Sequence, residues 1–467
     1  MSVNASHRNW GRPTARARRS AASRLIAQVL PNGTTVTNGF DDAHQLLSRL
    51  HKKTDATTIG SFLYGYDNSG NRTNMTTLEG VNAYSYNSNN WLTAATYPGG
   101  SSQQFFYDPV GNRTNLIEIT GAVTNTTRST IGAANRLASS FSSSSSSSAV
   151  LTNLYTYDAA GRLTNQFVGT QARRYSYTYR SQLSSLTDTN TFTFTYDFDG
   201  DGNRTKQSGS GCLTTKFVYD GPNVVLDLNA SNQVVHAYVN GMGIDQPVER
   251  IAFLNGTQLS ALNSRLVFHT DALGSVVLMT DSGQLTAKSY SYQAFGKIRT
   301  ETGTAIFNRQ TYTAREALGD TIGSYYYRWR VMDPNVGRFT SEDPLGFVDG
   351  PSLYVYVGNR PLLLLDPSGL YTFPSFSILS CPPGQVWKFN WESAGYTSAS
   401  DCANKIWNEA QSSVPPVGQI SGGALILAVD LLIKTPVGSV TFIAGQSVSY
   451  YILYVWCKGG SCQCPAP

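Results

Sequence analysis

The sequence predicts an all-β protein built from repeated hairpins. Composition is the first sign, because 27 tyrosines and many threonines favour pleated strands, while 42 glycines and frequent asparagines favour turns. Charged residues make up 14% of the chain, well below the usual share of about a quarter. The third sign is a motif that recurs roughly every twenty residues, a period typical of repeat architectures. Together these features predict an array of short strands.

Each repeat begins with an aromatic residue followed by aspartate. The pairs are Phe40-Asp41, Tyr66-Asp67, Tyr107-Asp108, Tyr157-Asp158, Tyr196-Asp197 and Tyr219-Asp220. A second signature of Gly, Asn and Arg follows most pairs within a few residues. Examples are Gly70-Asn71-Arg72-Thr73, Gly111-Asn112-Arg113-Thr114 and Gly161-Arg162-Leu163. In the copy at Tyr196 this signature comes late, at Gly202, which we attribute to an inserted Asp-Gly.

Each unit is therefore predicted as a strand, a tight turn and a second strand. Aromatic residues alternate with small or polar ones, which is typical of a half-buried strand. Gly and Asn supply the positive φ that hairpin turns need, and the aspartate can accept backbone N–H groups of the turn. A single hairpin cannot bury its apolar face, so successive hairpins are expected to stack or spiral. The repeat Asp and Arg residues are expected to make turns and to pair at the surface.

Two segments depart from this pattern. Residues 1–34 carry six arginines between Arg8 and Arg24, but the apolar run that follows is too short for a convincing signal peptide. We interpret 1–34 as a ragged or disordered start. The serine run after Phe141 is of low complexity and predicts a flexible loop. The net charge of +5 does not indicate a nucleic-acid partner, and the sequence predicts no cofactor and no metal site.

Three blocks carry a resemblance to a known family. The YDxxGNRT and YDxxGRLT units resemble the YD repeats of the RHS/YD-repeat family, which includes bacterial polymorphic toxins, toxin-complex subunits and teneurins. The block FHTDALGSVVLMTDSGQLTAKSYSYQAFGKI, from Phe268, is similar to a second family segment. The block from Tyr325 to Leu370 resembles the RHS repeat-associated core, which is very specific because many fixed residues keep one order. The resemblance covers about residues 35–370.

The resemblance implies an architecture and a boundary for each part. A β-shell of YD repeats is expected at 35–260, followed by the RHS repeat-associated core at 261–370. In toxin members of the family the core caps the shell, and a variable C-terminal segment, here 371–467, is held inside as cargo. The array is short for a closed shell, so we expect a fragment, a partial shell, or one completed by another shell-forming protein.

The core block contains three Asp-Pro pairs, at Asp333, Asp343 and Asp366, and the last two are 23 residues apart. Because proline biases the preceding residue toward extended conformations, Asp343 and Asp366 are expected at strand-to-turn corners. If the chain between them turns back, the two carboxyl groups become neighbours and can divide acid and base roles at a peptide bond. Arg330 can orient a carboxylate or stabilise an oxyanion. From the residues alone, ordinary Asp-Pro turns are the simpler interpretation.

The resemblance changes that balance. Toxin-complex RHS proteins are self-cleaving aspartyl proteases with one arginine and two aspartates in this block, and these match Arg330, Asp343 and Asp366. The family cleaves after the leucine of DPxGL. The resemblance therefore implies self-cleavage between Leu370 and Tyr371.

The tail, 371–467, differs in composition from the rest. It contains no His and no Arg, which disfavours a nuclease-type effector. Residues 422–457 are apolar, so contact with a membrane is one interpretation and a buried hairpin or helix pair is the other. The tail also holds five of the six cysteines, which fits an exported module with disulfides.

The leading functional hypothesis is a β-shell carrier that self-cleaves and releases or displays its tail in toxin delivery or competition between cells. The alternative is a non-catalytic surface or adhesive protein that binds partners or glycans. A third hypothesis treats the tail as an inert remnant. We expect the protein to be extracellular or at the cell surface.

Overall fold

The computed structural model describes most of the chain up to residue 374. The described residues are 16–374 without 21–23, 170, 190–191, 211, 242, 255–256, 259–264, 305, 307 and 320–322, together with 386–388 and 461–463. The expectations for the tail cysteines and for 422–457 fall outside the part with described side chains.

Antiparallel strands follow one another along the chain and form one sheet of 27 strands. The first nine strands are β1 (Arg16–Arg19), β2 (Leu25–Val29), β3 (Thr35–Phe40), β4 (Leu46–Lys52), β5 (Thr58–Tyr66), β6 (Arg72–Thr77), β7 (Gly80–Tyr86), β8 (Leu92–Thr96) and β9 (Ser102–Tyr107). The next nine are β10 (Arg113–Thr120), β11 (Val123–Ile131), β12 (Leu137–Ser144), β13 (Ser147–Tyr157), β14 (Leu163–Val168), β15 (Gln171–Tyr177), β16 (Leu183–Asp188), β17 (Phe192–Phe198) and β18 (Arg204–Gly209). The last nine are β19 (Thr215–Asp220), β20 (Asn223–Leu228), β21 (Val234–Asn240), β22 (Pro247–Leu254), β23 (Thr257–Gln258), β24 (Arg265–Thr270), β25 (Val276–Thr280), β26 (Thr286–Tyr292) and β27 (Ile298–Gly303).

Each strand pairs with its chain neighbours, so the sheet is a continuous meander. One branch point exists in the described part of the chain, where β22 pairs with both β23 and β24. The first and last described strands, β1 and β27, do not pair with each other, so the sheet is open. The all-β prediction with spiralling hairpins is confirmed.

Two local expectations are wrong. The described residues of the 1–34 segment, 16–20 and 24–34, do not form a ragged start, because β1 and β2 pair with each other and β2 pairs with β3. The serine run is not a flexible loop, since β12 and β13 continue through it and leave only two residues for the turn. Serine side chains are small and can remain solvated on a hairpin. Backbone hydrogen bonds of the antiparallel ladder therefore hold β12 and β13 together although the serine side chains pack little.

The repeat turns are organised by the aspartate, as the sequence predicts. The Asp108 backbone N–H donates to the Asn112 carbonyl (3.0 Å), and Asp108 Oδ1 accepts the N–H groups of Val110 (3.1 Å) and Asn112 (2.8 Å). The Asn112 side-chain amide donates to Asp108 Oδ2 (2.8 Å) and also to Asn135 Oδ1 (2.8 Å) on the next hairpin. The motif therefore closes its own turn and links it to the following unit.

One repeat was assigned to the wrong aspartate. The turn aspartate is Asp199, whose Oδ1 accepts the N–H groups of Asp201 (3.0 Å) and Asn203 (2.8 Å). Asp197 lies on β17 and forms an exposed ion pair with Lys206 (3.2 Å). The true unit starts at Phe198, so it keeps the common spacing and needs no inserted Asp-Gly.

The repeat arginines were expected at the surface, and two of them are buried instead. Arg72 and Arg204 are each 1% exposed, and their guanidinium groups lie over the rings of Tyr64 (4.4 Å) and Phe217 (4.8 Å). An arginine is weakly hydrated and stacks on aromatic faces, so it can be buried between hairpins. These residues help to pack the inner face of the sheet.

The sheet coils, so that late strands return to early ones. Asn32 donates to Thr280 Oγ1 (2.9 Å), and His51 Nδ1 lies 3.1 Å from His269 Nδ1. We call the contact between β4, which carries His51, and β24, which carries His269, the seam. Asp271 makes a turn near the seam, because its Oδ1 accepts the backbone N–H groups of Leu273 (2.8 Å) and Ser275 (2.8 Å).

The chain after β27 covers one end of the coil. It forms a four-stranded sheet of β28 (Glu316–Ala317), β29 (Tyr325–Tyr327), β30 (Arg330–Asp333) and β31 (Arg338–Phe339), followed by the paired strands β32 (Leu364–Leu365) and β33 (Phe373–Pro374). Two further strands, β34 (Val386–Lys388) and β35 (Ser461–Gln463), pair with each other. The described 3-10 helices are Ala133–Asn135, Tyr312–Ala314, Phe347–Asp349 and Val357–Asn359. The largest apolar cluster joins the two parts, with Tyr97, Phe105 and Leu116 from the sheet and Tyr312, Tyr327, Phe339 and Tyr356 from the later segment.

Candidate active site

The structure brings the three predicted residues together at the end of the coil. Arg330 is the first residue of β30, Asp343 follows β31, and Asp366 follows β32 directly. The chain after Asp343 turns back, as expected, since the Asp343 N–H donates to the Leu353 carbonyl (3.0 Å) and Phe339 N–H to the Tyr354 carbonyl (2.9 Å). This return is an extended segment with one bridge rather than a full strand.

One nitrogen atom joins the two carboxylates. Arg330 Nη2 lies 2.9 Å from Asp343 Oδ2 and 3.1 Å from Asp366 Oδ2. Because both oxygens are within hydrogen-bond reach of the same nitrogen, the two carboxyl groups are neighbours in one site. All three side chains are buried.

The remaining contacts of Arg330 fix its orientation. Its guanidinium lies 3.6 Å from the ring centroid of Phe339, its Nη1 donates to the Leu353 carbonyl (3.3 Å), and its Nε donates to the Gly369 carbonyl. Arg330 therefore contacts the backbone at the Gly369 carbonyl, one residue before Leu370. Sequence reasoning missed Phe339, although an aromatic residue close to a buried arginine is a recognisable stacking partner.

Asp366 holds the segment that contains the predicted cleavage point. Its Oδ1 accepts the backbone N–H groups of Gly369 (2.7 Å), Leu370 (3.0 Å) and Tyr371 (3.2 Å). The loop can curl around one oxygen because Gly369 has φ +77°, and a Cβ there would lie 2.4 Å from the Tyr327 carbonyl oxygen. The Leu370–Tyr371 peptide bond is therefore held next to a carboxylate.

Burial changes the proton affinity of both carboxyl groups. It raises the pKa of Asp343 to about 6, although the Arg330 guanidinium opposes the rise and Asp366 adds to it. Burial also raises the pKa of Asp366, against the lowering effect of Arg330 and the N–H groups of Gly369 and Leu370. Two neighbouring buried carboxyl groups cannot both ionise easily, so they are suited to share one proton.

The predicted cleavage point is accessible from outside the buried trio. Leu370 and Tyr371 are half-buried, so part of each residue is exposed to solvent. The neighbouring Asp366 lies in the wall of a cavity of about 740 Å³ whose described lining includes neither of these two residues. Beyond the site, Thr372 Oγ1 donates to Asp349 Oδ2 (2.7 Å), and β33 pairs with β32. Water can thus reach the Leu370–Tyr371 segment, which is held by Asp366 before the bond and by the Thr372–Asp349 contact and β33 after it.

The third Asp-Pro pair of the core lies elsewhere. Asp333 Oδ1 accepts the Asn335 N–H (2.9 Å) and its carbonyl accepts the Gly337 N–H (2.8 Å), so it makes a turn. Within the described residues, no group of three or more His, Cys, Asp or Glu side chains is arranged to hold a metal ion. In the same part of the chain, no helix is long and apolar enough to cross a membrane.

Several curated proteins are similar in sequence. The chain is 28% identical to the tRNA3(Ser)-specific nuclease WapA of Bacillus spizizenii over 332 residues, which are 68% of this chain and 13% of that protein. It is 37% identical to the toxin protein Tse5 of Pseudomonas aeruginosa over 106 residues, 22% of this chain and 8% of Tse5. It is 51% identical to the toxin subunit YenC2 of Yersinia entomophaga over 51 residues, 11% of this chain and 5% of YenC2. These relatives are RHS-type toxins and toxin subunits, which supports the resemblance of the chain to the RHS/YD-repeat family. No family model matches it.

Solved structures share the fold of this chain. The crystal structure of TcdB2-TccC3 matches with a TM-score of 0.57 and 20% identity, covering 76% of this chain and 20% of that one. The TcdB2-TccC3-Cdc42 structure matches with a TM-score of 0.56 and 19% identity, covering 76% of this chain and 19% of that one. The chain is thus related in sequence to toxins and shares its β-shell fold with toxin-complex proteins. It spans about 13% of the length of the WapA relatives.

Proposed function

We propose that this chain is the shell-forming, self-cleaving part of an RHS-type toxin carrier. It cuts its own backbone between Leu370 and Tyr371 and thereby frees 371–467 as a separate segment. The observation that carries the proposal is the contact of Asp366 Oδ1 with Tyr371 N at 3.2 Å, while Arg330 bridges Asp366 to Asp343. The proposed acid thus contacts the bond directly, and the proposed base is joined to the acid through Arg330.

Asp366 is the proton donor in this proposal. Tyr371 N becomes the leaving amine when the bond breaks, and a protonated Asp366 is at the distance required to deliver a proton to it. The raised pKa of Asp366 favours the protonated form that this role needs. The N–H groups of Gly369 and Leu370 keep the carboxyl oxygen in place.

Asp343 is the general base. With its pKa near 6 it is ionised at neutral pH and accepts a proton from water, whose oxygen adds to the Leu370 carbonyl carbon. The tetrahedral intermediate then collapses as Asp366 protonates Tyr371 N, which gives a Leu370 carboxyl group and a free amine at Tyr371. The reaction is hydrolysis and occurs once in each chain, so neither carboxyl group has to be reset.

The carrier role assigns the partners. The cargo is the chain's own segment 371–467, and the open sheet is completed by another shell-forming protein. The relatives include proteins named as toxins and toxin subunits, which supports delivery outside the producing cell.

The test is a denaturing gel with intact mass measurement of the purified full chain. The wild type should yield a fragment of 97 of the 467 residues of the 50.7 kDa chain, about 10 kDa, whose first residue is Tyr371. Asp343→Asn and Asp366→Asn should abolish the fragment. An intact wild-type chain, or cleavage in both variants, would refute the proposal.

Asp333→Asn is the matched control, since Asp333 also precedes proline in the core and its described side-chain hydrogen bonds, to Asn335, organise a turn. Asparagine can still accept the Asn335 N–H, so cleavage should persist. The first residue of the fragment matters because acid can hydrolyse Asp-Pro bonds. A fragment that begins at Pro344 or Pro367 would indicate such damage.

A second candidate function is partner binding by a non-catalytic YD-repeat protein. One observation favours it: Leu154 and Phe167 face each other across β13 and β14, and both are exposed, with Phe141 on the same face of β12. Adjacent exposed apolar residues are typical of contact surfaces. This candidate would replace the first if all carboxylate variants behave like the wild type.

A further inference from the structure

A carboxylate outside the active site links the sheet to the loop that carries Asp366. Asp245 lies between β21 and β22, has φ +58°, and its N–H donates to Asn223 Oδ1 (3.0 Å). Its Oδ1 accepts Arg328 Nη2 (2.9 Å), and its Oδ2 contacts Arg315. The sheet thus holds two arginines that both come from the later segment.

Both arginines donate to one carbonyl oxygen. Arg315 Nη1 lies 2.6 Å from the carbonyl of Pro367, and Arg328 Nη1 donates to the same oxygen. Pro367 directly follows Asp366, and the next carbonyl, of Ser368, accepts the Trp329 N–H (3.1 Å). The loop that positions Asp366 is therefore held by Arg315, Arg328 and Trp329, which lie outside the catalytic trio.

The arrangement depends on the charge of Asp245. Two guanidinium groups that meet at one oxygen repel each other, and burial together with Arg328 lowers the pKa of Arg315 to about 9. Asp245 contacts both cations and neutralises part of this charge. It also lines the same cavity as Asp366. Arg330 lowers the pKa of Asp366, Asp349 raises it, and Arg328 interacts with Asp366 electrostatically. Loss of the negative charge of Asp245 would leave Asp366 facing more net positive charge.

We propose that Asp245 is a positioning residue that couples formation of the sheet to self-cleavage. This inference rests on the proposed function. In the absence of the Asp245 contact, the two arginines separate, the Pro367 carbonyl loses its donors, and the loop no longer aligns Asp366 with Tyr371. A chain whose β21–β22 turn has not formed is therefore held uncut, and cleavage follows folding.

The experiment measures single-turnover cleavage of the full chain after cell-free synthesis, as a function of pH. Asp245→Asn keeps the shape of the side chain and removes its charge. Cleavage should slow by about tenfold to a hundredfold, because small misplacements of a catalytic group have effects of this size. The descending limb of the pH profile should also move to lower pH, because loss of a nearby negative charge lowers the pKa of Asp366.

The matched control is Asp227→Asn. Asp227 also joins the sheet to a buried arginine of the later segment, with Asp227 Oδ1 at 3.0 Å from Arg309 Nη2, but it does not contact the Pro367 loop. Its cleavage rate, for the fraction that resists proteolysis, should stay within about twofold of the wild type. If Asp245→Asn fails to fold, Arg328→Ala is the second variant. Arg328 is partly exposed, and its replacement by alanine removes the link between Asp245 and the Pro367 carbonyl.

Two results would overturn the inference. One is cleavage of Asp245→Asn at the wild-type rate with an unchanged pH profile. The other is an equal decrease in the cleavage rates of Asp245→Asn and Asp227→Asn with no shift of the descending limb of the pH profile. That result would indicate a general loss of stability rather than a specific effect on Asp366. Failure of the proposed function looks different, because then the wild type stays intact or Asp343→Asn cleaves normally, whatever Asp245 does.

Discussion

Substitution of Arg330 by lysine tests how the two carboxyl groups are organised. Arg330 Nη2 contacts both Asp343 and Asp366, its Nε donates to the Gly369 carbonyl, and its plane lies on Phe339. A lysine carries a single compact ammonium group, cannot reproduce the planar fork and stacks less well. We expect it to keep contact with one carboxylate and to lose the other.

The magnitude follows from that lost contact. A hydrogen bond to a charged group contributes about 1.5–3 kcal/mol, which corresponds to a rate reduction of about tenfold to a hundredfold if the contact is required in the transition state. The ascending limb of the pH profile should also move. Because Arg330 lowers the pKa of Asp343, a weaker cation leaves that pKa above its value of about 6, so the base ionises only at higher pH.

The assay is the time course of cleavage after cell-free synthesis, at several pH values, with Arg338→Lys as the control. Arg338 is also buried and lies over the ring of Tyr354 (4.7 Å), but no described contact joins it to either catalytic carboxylate. Arg338→Lys should cleave like the wild type in its folded fraction. If Arg330→Lys also does so at every pH, Arg330 does not organise the site and the mechanism is wrong.

Three further predictions concern the loop, the repeats and the seam. Gly369→Ala should slow cleavage by more than about a hundredfold because the new Cβ meets a carbonyl oxygen at 2.4 Å; normal cleavage would show that the loop conformation is not required. Asp108→Ala should lower the free energy of unfolding by about 1–3 kcal/mol in chemical denaturation, since a turn acceptor is lost, whereas Asp197→Ala at the exposed surface should change it by less than about 0.5 kcal/mol. Equal effects would remove the distinction between turn and strand aspartates. Burial lowers the pKa of His51, and lowers that of His269 to about 3, so unfolding takes up protons below about pH 6.5 and stability conferred above that pH is lost as the pH falls. The melting temperature should therefore drop more steeply between about pH 6.5 and pH 4.5 in the wild type than in His269→Gln, and parallel curves would contradict this.

Local patterns predicted the strands and turns well because each hairpin is specified by its own residues. The aspartate turn at Asp108 has the hydrogen bonds that the motif suggests. The error at Asp197 arose because FDFDG offers two aromatic-aspartate pairs in succession, and only the spacing to the following Gly-Asn-Arg identifies Asp199 as the turn residue. Strand β1 was missed because an arginine-rich segment has no apolar alternation, and its pairing with β2 is the reason it is a strand.

Contacts between distant segments were beyond the reach of local reasoning. The residue types suggested Asp343 and Asp366 as a pair with Arg330 as a cation beside them, and the family resemblance matched all three to catalytic positions. No spacing in the sequence indicates that one nitrogen bridges the two carboxylates. Asp245 lies more than a hundred residues before Asp366, and its neighbours carry no motif. Such a contact becomes visible only when the coil places the β21–β22 turn beside the core.

The seam sets the circumference of the coil. A ladder that joins only chain neighbours allows a single hairpin to grow outward at its tip, as β12 and β13 do with their serines, without disturbing any other unit. Inserting an entire hairpin between β4 and β24 is different, because it would widen the ring and carry His269 away from His51. Variation in hairpin length is therefore inexpensive for this architecture, whereas the number of units in one turn is fixed by geometry.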